Sequence, residues 1–211
     1  MLFALSKYMK RTMMISLMIS FWVLTASLGA EKVAAQNVEL RSAVSRAGAI
    51  YRYLDYNHVF HNKVTLDGYY IGVPGQNEFY LGLGYQLQAT KSLTITPLFY
   101  GVIGKEGAER GVAMGAAVNG SVKALNVSGY ICHFEPVGGS VARYTFLDSL
   151  DISKKANQWE IGGSTGFFYA AGKWNPLVGP VIIRNDERGS WKVHIRGGSS
   201  LEARLTRTLT F

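Results

Sequence analysis

Cysteine is almost absent from this chain. Cys132 is the only one among 211 residues, so no disulfide can form within the chain. A secreted protein without such a staple needs a sizeable core or a closed barrel. Charge is sparse as well, at 17% of residues, and it is scattered. No Lys/Arg cluster with interleaved aromatics is present, which argues against a nucleic-acid partner. No linker or low-complexity stretch marks off a second domain. The four histidines, His58, His61, His133 and His194, sit in no His-x-Ser or Gly-x-Ser-x-Gly context. No Ser/His/Asp set can therefore be assembled from the sequence. Gly104-Lys105-Glu106-Gly107 lacks the spacing of a phosphate loop.

What is there begins with an export signature. Lys7, Lys10 and Arg11 precede an apolar run from Met13 to Leu28. Val33-Ala34-Ala35 offers small residues for cleavage before Gln36, and Ala30 is a second candidate. The run is shorter than the ~20 apolar residues that a retained helix needs. No Cys follows it, so a lipid anchor has no support. The expectation is a signal peptide over residues 1–35 and one domain over 36–211. Cleavage removes four bases (Lys7, Lys10, Arg11, Lys32) and one acid (Glu31), and the formal charge falls from +8 to +5.

The end of the chain alternates. Leu201, Ala203, Leu205, Leu209 and Phe211 share one parity, and Glu202, Arg204, Thr206, Thr208 and Thr210 share the other. Successive side chains of a strand point to opposite faces, so the segment has one apolar and one polar face. Arg207 departs from the pattern on the apolar parity; it would snorkel to an interface or be turned inward by a bulge. This alternation, ending on an aromatic carboxy-terminal residue, resembles the small outer-membrane β-barrels of Gram-negative bacteria. The resemblance implies an outer-membrane location, contact with outer-membrane lipid, and Phe211 as an assembly signal for the barrel-assembly machinery. It brings no catalytic motif and no cofactor.

Further runs repeat the alternation. Phe79, Leu81, Leu83, Tyr85, Leu87 and Ala89 oppose Tyr80, Gly82, Gly84, Gln86 and Gln88. Val112, Met114, Ala116 and Val118 oppose Gly111, Ala113, Gly115 and Asn119, and Trp159, Ile161, Thr165, Phe167 and Tyr169 oppose Gln158, Glu160, Gly162, Ser164 and Gly166. Soluble surfaces are rich in Lys and Glu. These polar faces are instead mostly Gly, Ser, Thr, Gln and Asn, as a narrow barrel interior requires. The stretches 64–73, 93–103, 125–134, 142–150 and 177–183 are strand-like, with mixed parity, and Pro97 interrupts one of them. Turns are expected at Pro74-Gly75-Gln76-Asn77, Pro136-Val137-Gly138-Gly139 and 185–189, and at either Asn119-Gly120 or Lys123. Residues 38–54 are ambiguous. Leu40, Val44, Ala47, Tyr51 and Leu54 follow helical spacing, whereas 47–54 suit a first strand that pairs with the last. The expected fold is all-β: an antiparallel transmembrane barrel of about ten strands, with eight and twelve as alternatives.

In such a barrel the inward charges are the functional candidates. Glu160, Glu202 and Arg204 lie on polar parities of clean strands, and Asp67 and Arg52 on less clean ones. They would form either an ion-pair network that plugs the lumen or a charged constriction that passes solutes. His58 and His61 form a short His-x-x-His, but no third ligand is fixed, so no metal is assigned. Cys132 and His133 are adjacent and should face opposite ways, which argues against a Cys/His catalytic pair. The expected function is a structural or porin-like outer-membrane protein without enzymatic activity. The alternatives are a secreted soluble barrel or sandwich that binds an apolar ligand, and a small barrel enzyme acting on lipid.

Overall fold

The computed structural model describes residues 35–45, 50–73, 76–104, 110–137 and 142–211. The expected signal segment, residues 1–34, lies outside the described residues. So do Pro74-Gly75 and Gly138-Gly139 of two expected turns, and Lys105 to Gly107. The strands are β1 (Ala35–Ser45), β2 (Ile50–Val59), β3 (Val64–Val73), β4 (Gln76–Tyr85), β5 (Leu87–Thr90), β6 (Leu93–Gly104) and β7 (Arg110–Val122). They continue as β8 (Leu125–Pro136), β9 (Tyr144–Ala156), β10 (Trp159–Ala170), β11 (Lys173–Asp186), β12 (Gly189–Gly198) and β13 (Glu202–Thr210).

Chain neighbours pair antiparallel, β1 pairs with β13, and β4 pairs with β6, so the sheet closes on itself. Segments β4 and β5 are two parts of one wall strand, both paired to β6, which gives a barrel of twelve strands. The break falls at Gln86, whose N–H donates 2.9 Å to the Lys63 carbonyl. The unpaired stretch of β6 opposite the break, between Leu98 and Ile95, contains Pro97, which has no N–H to offer the ladder.

Two strands account for the difference from about ten. The first strand is β1, ahead of the expected first segment near 47–54, and β12 follows the expected turn at 185–189 in a stretch where no strand is expected. The helical spacing of residues 38–54 is explained in part: Ala47 lies outside the described residues, and Tyr51 takes the inward parity of β2. Leu40 to Val44 and Ile50 to Leu54 are steps of four, which fit a period of two as well as 3.6. All four are exposed on the outer face. The turn after β7 is at Lys123 (φ 56°), and Asn119-Gly120 lies inside the strand.

The outer face is apolar. Leu83, Phe99, Met114, Ile161, Val178 and Ile195 are each more than half exposed. A folded soluble chain does not display such a continuous belt; a lipid-facing wall does. A soluble apolar-ligand barrel would put these residues inside, so that alternative is overturned. The aromatic residues Trp159 and Tyr169 lie ten positions apart on the outer face of β10. At ~3.3 Å per residue and a tilt near 40° they stand roughly 25 Å apart along the axis, the height of a membrane band. Arg207 stays on that outer face and clamps Asp186 at 2.6 and 3.1 Å.

One bulge matters for the interior. The register of β9 slips by one against both neighbours, between Thr165 and Phe167 on β10 and between Tyr130 and Ile131 on β8. The extra residue lets Asp148 and its neighbour Ser149 both line the interior cavity, and Asp151 and Ser153 carry on the inward row. The mixed parity of this stretch follows from the bulge.

Candidate functional site: the barrel lumen

The alternation turns one face of every strand inward; that face is polar on β1, β12 and β13 and largely apolar on β6 and β11, where Leu98, Tyr100, Val102, Val181 and Ile183 are buried. A cavity of about 420 Å³ occupies the half of the lumen nearer the chain ends. Asn37, Asn57, Thr65, Gln86, Asn119, Ser128 and Thr208 line its walls near that end. Arg41, Tyr53, Tyr69, Tyr100, Tyr130 and Asp148 line it further in. Beyond this vestibule the interior is packed with side chains of two kinds.

On one side stands a wall of rings from β3, β4, β6, β8 and β9. Tyr69 stacks on Tyr80 at 4.2 Å and meets Tyr100 edge-on at 5.4 Å, and Phe134 stacks on Tyr144 at 4.8 Å. Tyr80, Tyr100 and Phe134 are wholly buried. The tyrosine hydroxyls find partners, as buried phenols must. Tyr100 donates to Asp67 Oδ2 at 2.8 Å, and Asn57 donates to Asp67 Oδ1 at 2.8 Å. Tyr80 donates to Glu78 Oε2 at 2.8 Å, and the Tyr80 and Tyr144 hydroxyls bond each other. Two inward glycines make room. A Cβ at Gly82 would sit 2.4 Å from Tyr100 Cδ1, and one at Gly115 would sit 2.8 Å from the Tyr130 hydroxyl.

On the other side, β1, β9, β12 and β13 carry charge. Asp148 holds Arg41 Nη1 at 2.7 Å and Arg204 Nη1 at 3.0 Å. Glu202 Oε1 accepts from Arg196 Nη2 at 2.7 Å and lies 3.2 Å from Arg204 Nε. Arg196 Nη1 donates 2.7 Å to the Asp148 carbonyl, directly over Gly166, where a Cβ would sit 2.7 Å from that nitrogen. Glu39 pairs with Arg41 at 2.5 Å. Asp151 is shared by Lys192 Nζ at 2.9 Å and His194 Nε2 at 3.0 Å.

Several of these contacts join strands that are not neighbours. Arg41–Asp148 links β1 to β9, Tyr69–Tyr130 links β3 to β8 at 3.3 Å, and Tyr144–Glu78 links β9 to β4 at 3.1 Å. They are struts across the lumen. Acids also outnumber permanent cations in the described interior. Glu39, Asp55, Asp67, Glu78, Asp148, Asp151, Glu160 and Glu202 face Arg41, Lys155, Lys192, Arg196 and Arg204.

The residues singled out from sequence divide. Glu202 and Arg204 meet in the ionic cluster. Asp67 is inward on the ring wall. Glu160 is inward but apart, near the chain-end rim, and accepts from Asn126 (2.9 Å), Ser153 (2.8 Å) and Asn185 (2.8 Å). Arg52 needs correction. It faces outward and is exposed, because Tyr51, Tyr53 and Asp55 take the inward parity of β2. Sequence reasoning missed Arg41, Asp148, Lys192, His194 and Arg196. The last three alternate cleanly with Trp191, Val193 and Ile195, a signal that was available; Asp148 was hidden by its bulge. Cys132 is buried inside, 3.9 Å from the Tyr69 hydroxyl, and His133 faces out toward Thr145 at 2.8 Å. His58 lies on the outer face between Tyr56 and Phe60. Among the described residues, no three His, Cys, Asp or Glu side chains are placed to hold a metal ion.

No protein-family model and no curated protein matches the chain. Solved structures do. The KdgM porin matches with a TM-score of 0.62 at 13% identity, over 83% of this chain and 99% of that one. The KdgM porin in complex with disordered oligogalacturonate gives 0.64 at 12% identity, over 83% and 99%. The NanC porin gives 0.61 at 10% identity, over 82% and 98%. This chain has the fold of an outer-membrane porin barrel. At such identities the likeness concerns the path of the backbone, and the lumen must be read from its own side chains.

Proposed function

We propose that this chain is an exported outer-membrane barrel with a porin-like role, whose strutted lumen passes small solutes slowly and prefers cations. The observation that carries this reading is the set of struts across a lumen in which carboxylates exceed permanent cations. Fixed charge at a constriction sets the sign of the ions that enter. The KdgM porin is described with oligogalacturonate, which carries a carboxylate on each sugar. The acid excess here disfavours such a polyanion. Glu202, Arg204, Asp67 and Glu160 act in this reading as part of the lumen's charge lining, and none is assigned a catalytic step.

Residues 1–35 are the proposed signal peptide. A cut before Gln36 leaves β1 nearly whole, and Gln36 still accepts from the Phe211 N–H at 3.0 Å. Phe211, 73% exposed at the end of the seam strand, is the proposed signal to the assembly machinery. Deleting it should shift protein from the outer membrane to the periplasm; an unchanged distribution at normal expression refutes that role.

The pore reading is tested in a planar bilayer. The native barrel should give small conductance steps and a cation-selective reversal potential in a KCl gradient. Tyr80→Ala and Arg41→Ala, each removing a strut or its support, should enlarge the steps. Silence from the native barrel and from both variants would favour a plugged barrel with a purely structural role.

A further inference from the structure

The outer face near the chain ends carries a feature that the pore does not use. Four adjacent strands present, in direct register, Trp159, Arg184, Trp191 and Arg207. Each lies within a few residues of the chain-end limit of its strand. The guanidinium of Arg184 stands 5.6 Å from the Trp159 ring, and that of Arg207 stands 5.1 Å from the Trp191 ring. The next outward rung is wholly aliphatic: Ile161, Ile182, Val193 and Leu205, all exposed. The surface thus changes in one rung from hydrocarbon-facing to cationic and aromatic.

The two arginines differ. Arg207 is neutralised by Asp186 in a bidentate pair at 2.6 and 3.1 Å. Arg184 makes no direct ion pair among the described residues, although Asp186, two positions along the same strand face and already gripped by Arg207, lies close enough to feel its charge, and Trp159 and Trp191 are its register partners on either side. An exposed arginine resting against one indole, with a second indole on the next strand, keeps its donors free, and its fork suits phosphate. Lys154, exposed near the end of β9 and opposite Ile161, adds a second cation on the same face.

We infer that this Trp–Arg ladder is a binding site for the phosphate headgroup of an anionic phospholipid, with Arg184 as its principal ligand. The occupant is a lipid rather than a soluble anion or a protein, because the aliphatic rung directly beside the ladder needs acyl chains against it. Among the described residues the opposite rim lacks the arrangement: Trp174 there pairs with Tyr169 and rests at 4.9 Å on its ring, without an interleaved arginine. The proposal rests on the membrane reading above, and its test separates the two.

The test uses the full chain with Trp22 and Trp174 changed to Phe, so that Trp159 and Trp191 report. Their fluorescence is measured in vesicles containing brominated phosphatidylglycerol or brominated phosphatidylcholine. The anionic lipid should be preferred about fivefold, the factor that corresponds to about 1 kcal/mol for one arginine near an anionic surface. The preference should fall as salt is raised, since it is electrostatic at an exposed site. Arg184→Gln should abolish it, and Arg184→Lys should retain part of it. Equal quenching by the two lipids overturns the proposal, as does a preference indifferent to salt or one that survives in Arg184→Gln. The salt series needs only the reporter protein, so a variant that fails to fold does not rescue the idea. No quenching by either lipid would instead count against membrane insertion itself.

Discussion

The two sides of the lumen are filled by different physics. The ring wall is built of large, mostly neutral side chains that stack, with hydrogen bonds at the tyrosine hydroxyls to fix their tips. The ionic wall is built of full charges taken out of water. Rings lose packing when altered, and the loss scales with the volume removed. Buried charges lose far more when one partner goes, because the other is left stranded. The ring wall is therefore tolerant of polar change and intolerant of volume change, and the ionic wall is the reverse.

Removing Arg196 should break the comparison most sharply. It is 1% exposed and grips both Glu202 and the Asp148 carbonyl. Arg196→Ala should cost about 3–5 kcal/mol, the range for orphaning one member of a buried pair. Adding Glu202→Gln should recover part of that loss. Urea unfolding in lipid vesicles measures both, and a double variant less stable than the single one would deny that a stranded charge is the cause.

The lipid face supplies a control that involves neither wall. Leu83 is 59% exposed near the middle of the wall strand formed by β4 and β5. Leu83→Arg should cost about 2–4 kcal/mol at mid-bilayer. In the same assay, a cost near zero would place Leu83 at an interface instead.

A volume change on the ring wall comes next. Gly115→Ala forces a methyl against the Tyr130 ring and should cost about 1–3 kcal/mol, as overpacking does. Replacing Tyr130 by a smaller residue in the same chain should relieve it, and an additive double variant would show that the two do not touch. The smallest effect is a polar change on that wall. Tyr100→Phe keeps the ring and removes one donor to Asp67, which retains Asn57. It should cost about 1–2 kcal/mol. A loss as large as that of Arg196→Ala would erase the distinction between the walls.

The outer face was far more legible in the sequence than the inner one. Apolar residues spaced by two announce a lipid-facing strand without reference to any partner, as in β4, β10 and β13. The lumen is different, because an inward charge is defined by what stands across the barrel. Nothing local links Arg41 to Asp148, which are 107 residues apart. Arg52 was misplaced for the same reason: its strand has charge on both parities, and only the closed sheet shows which faces in. Arg207 shows the converse. Its misfit with the apolar parity was plain in the sequence, and it remains on that face because Asp186 and Trp191 receive it there.

The seam between β1 and β13 has a consequence for the order of events during assembly. It joins Asn37 to Thr210, residues 173 positions apart, so it brings together the first and last of the described strands. Arg41 and Glu39 ride on β1, and until that strand is docked Asp148 lacks one of its two arginines. Closing a longer loop adds little entropy cost, about 0.6 kcal/mol per doubling. Chain length is therefore no great obstacle to the seam. The obstacle is electrostatic, because an unclosed sheet carries Asp148 and Arg204 with an unfinished complement of charge. The Arg41–Asp148 strut thus acts as a latch: it engages only in a barrel that has already shut, and once engaged it holds the two ends of the chain to one another through the middle of the molecule.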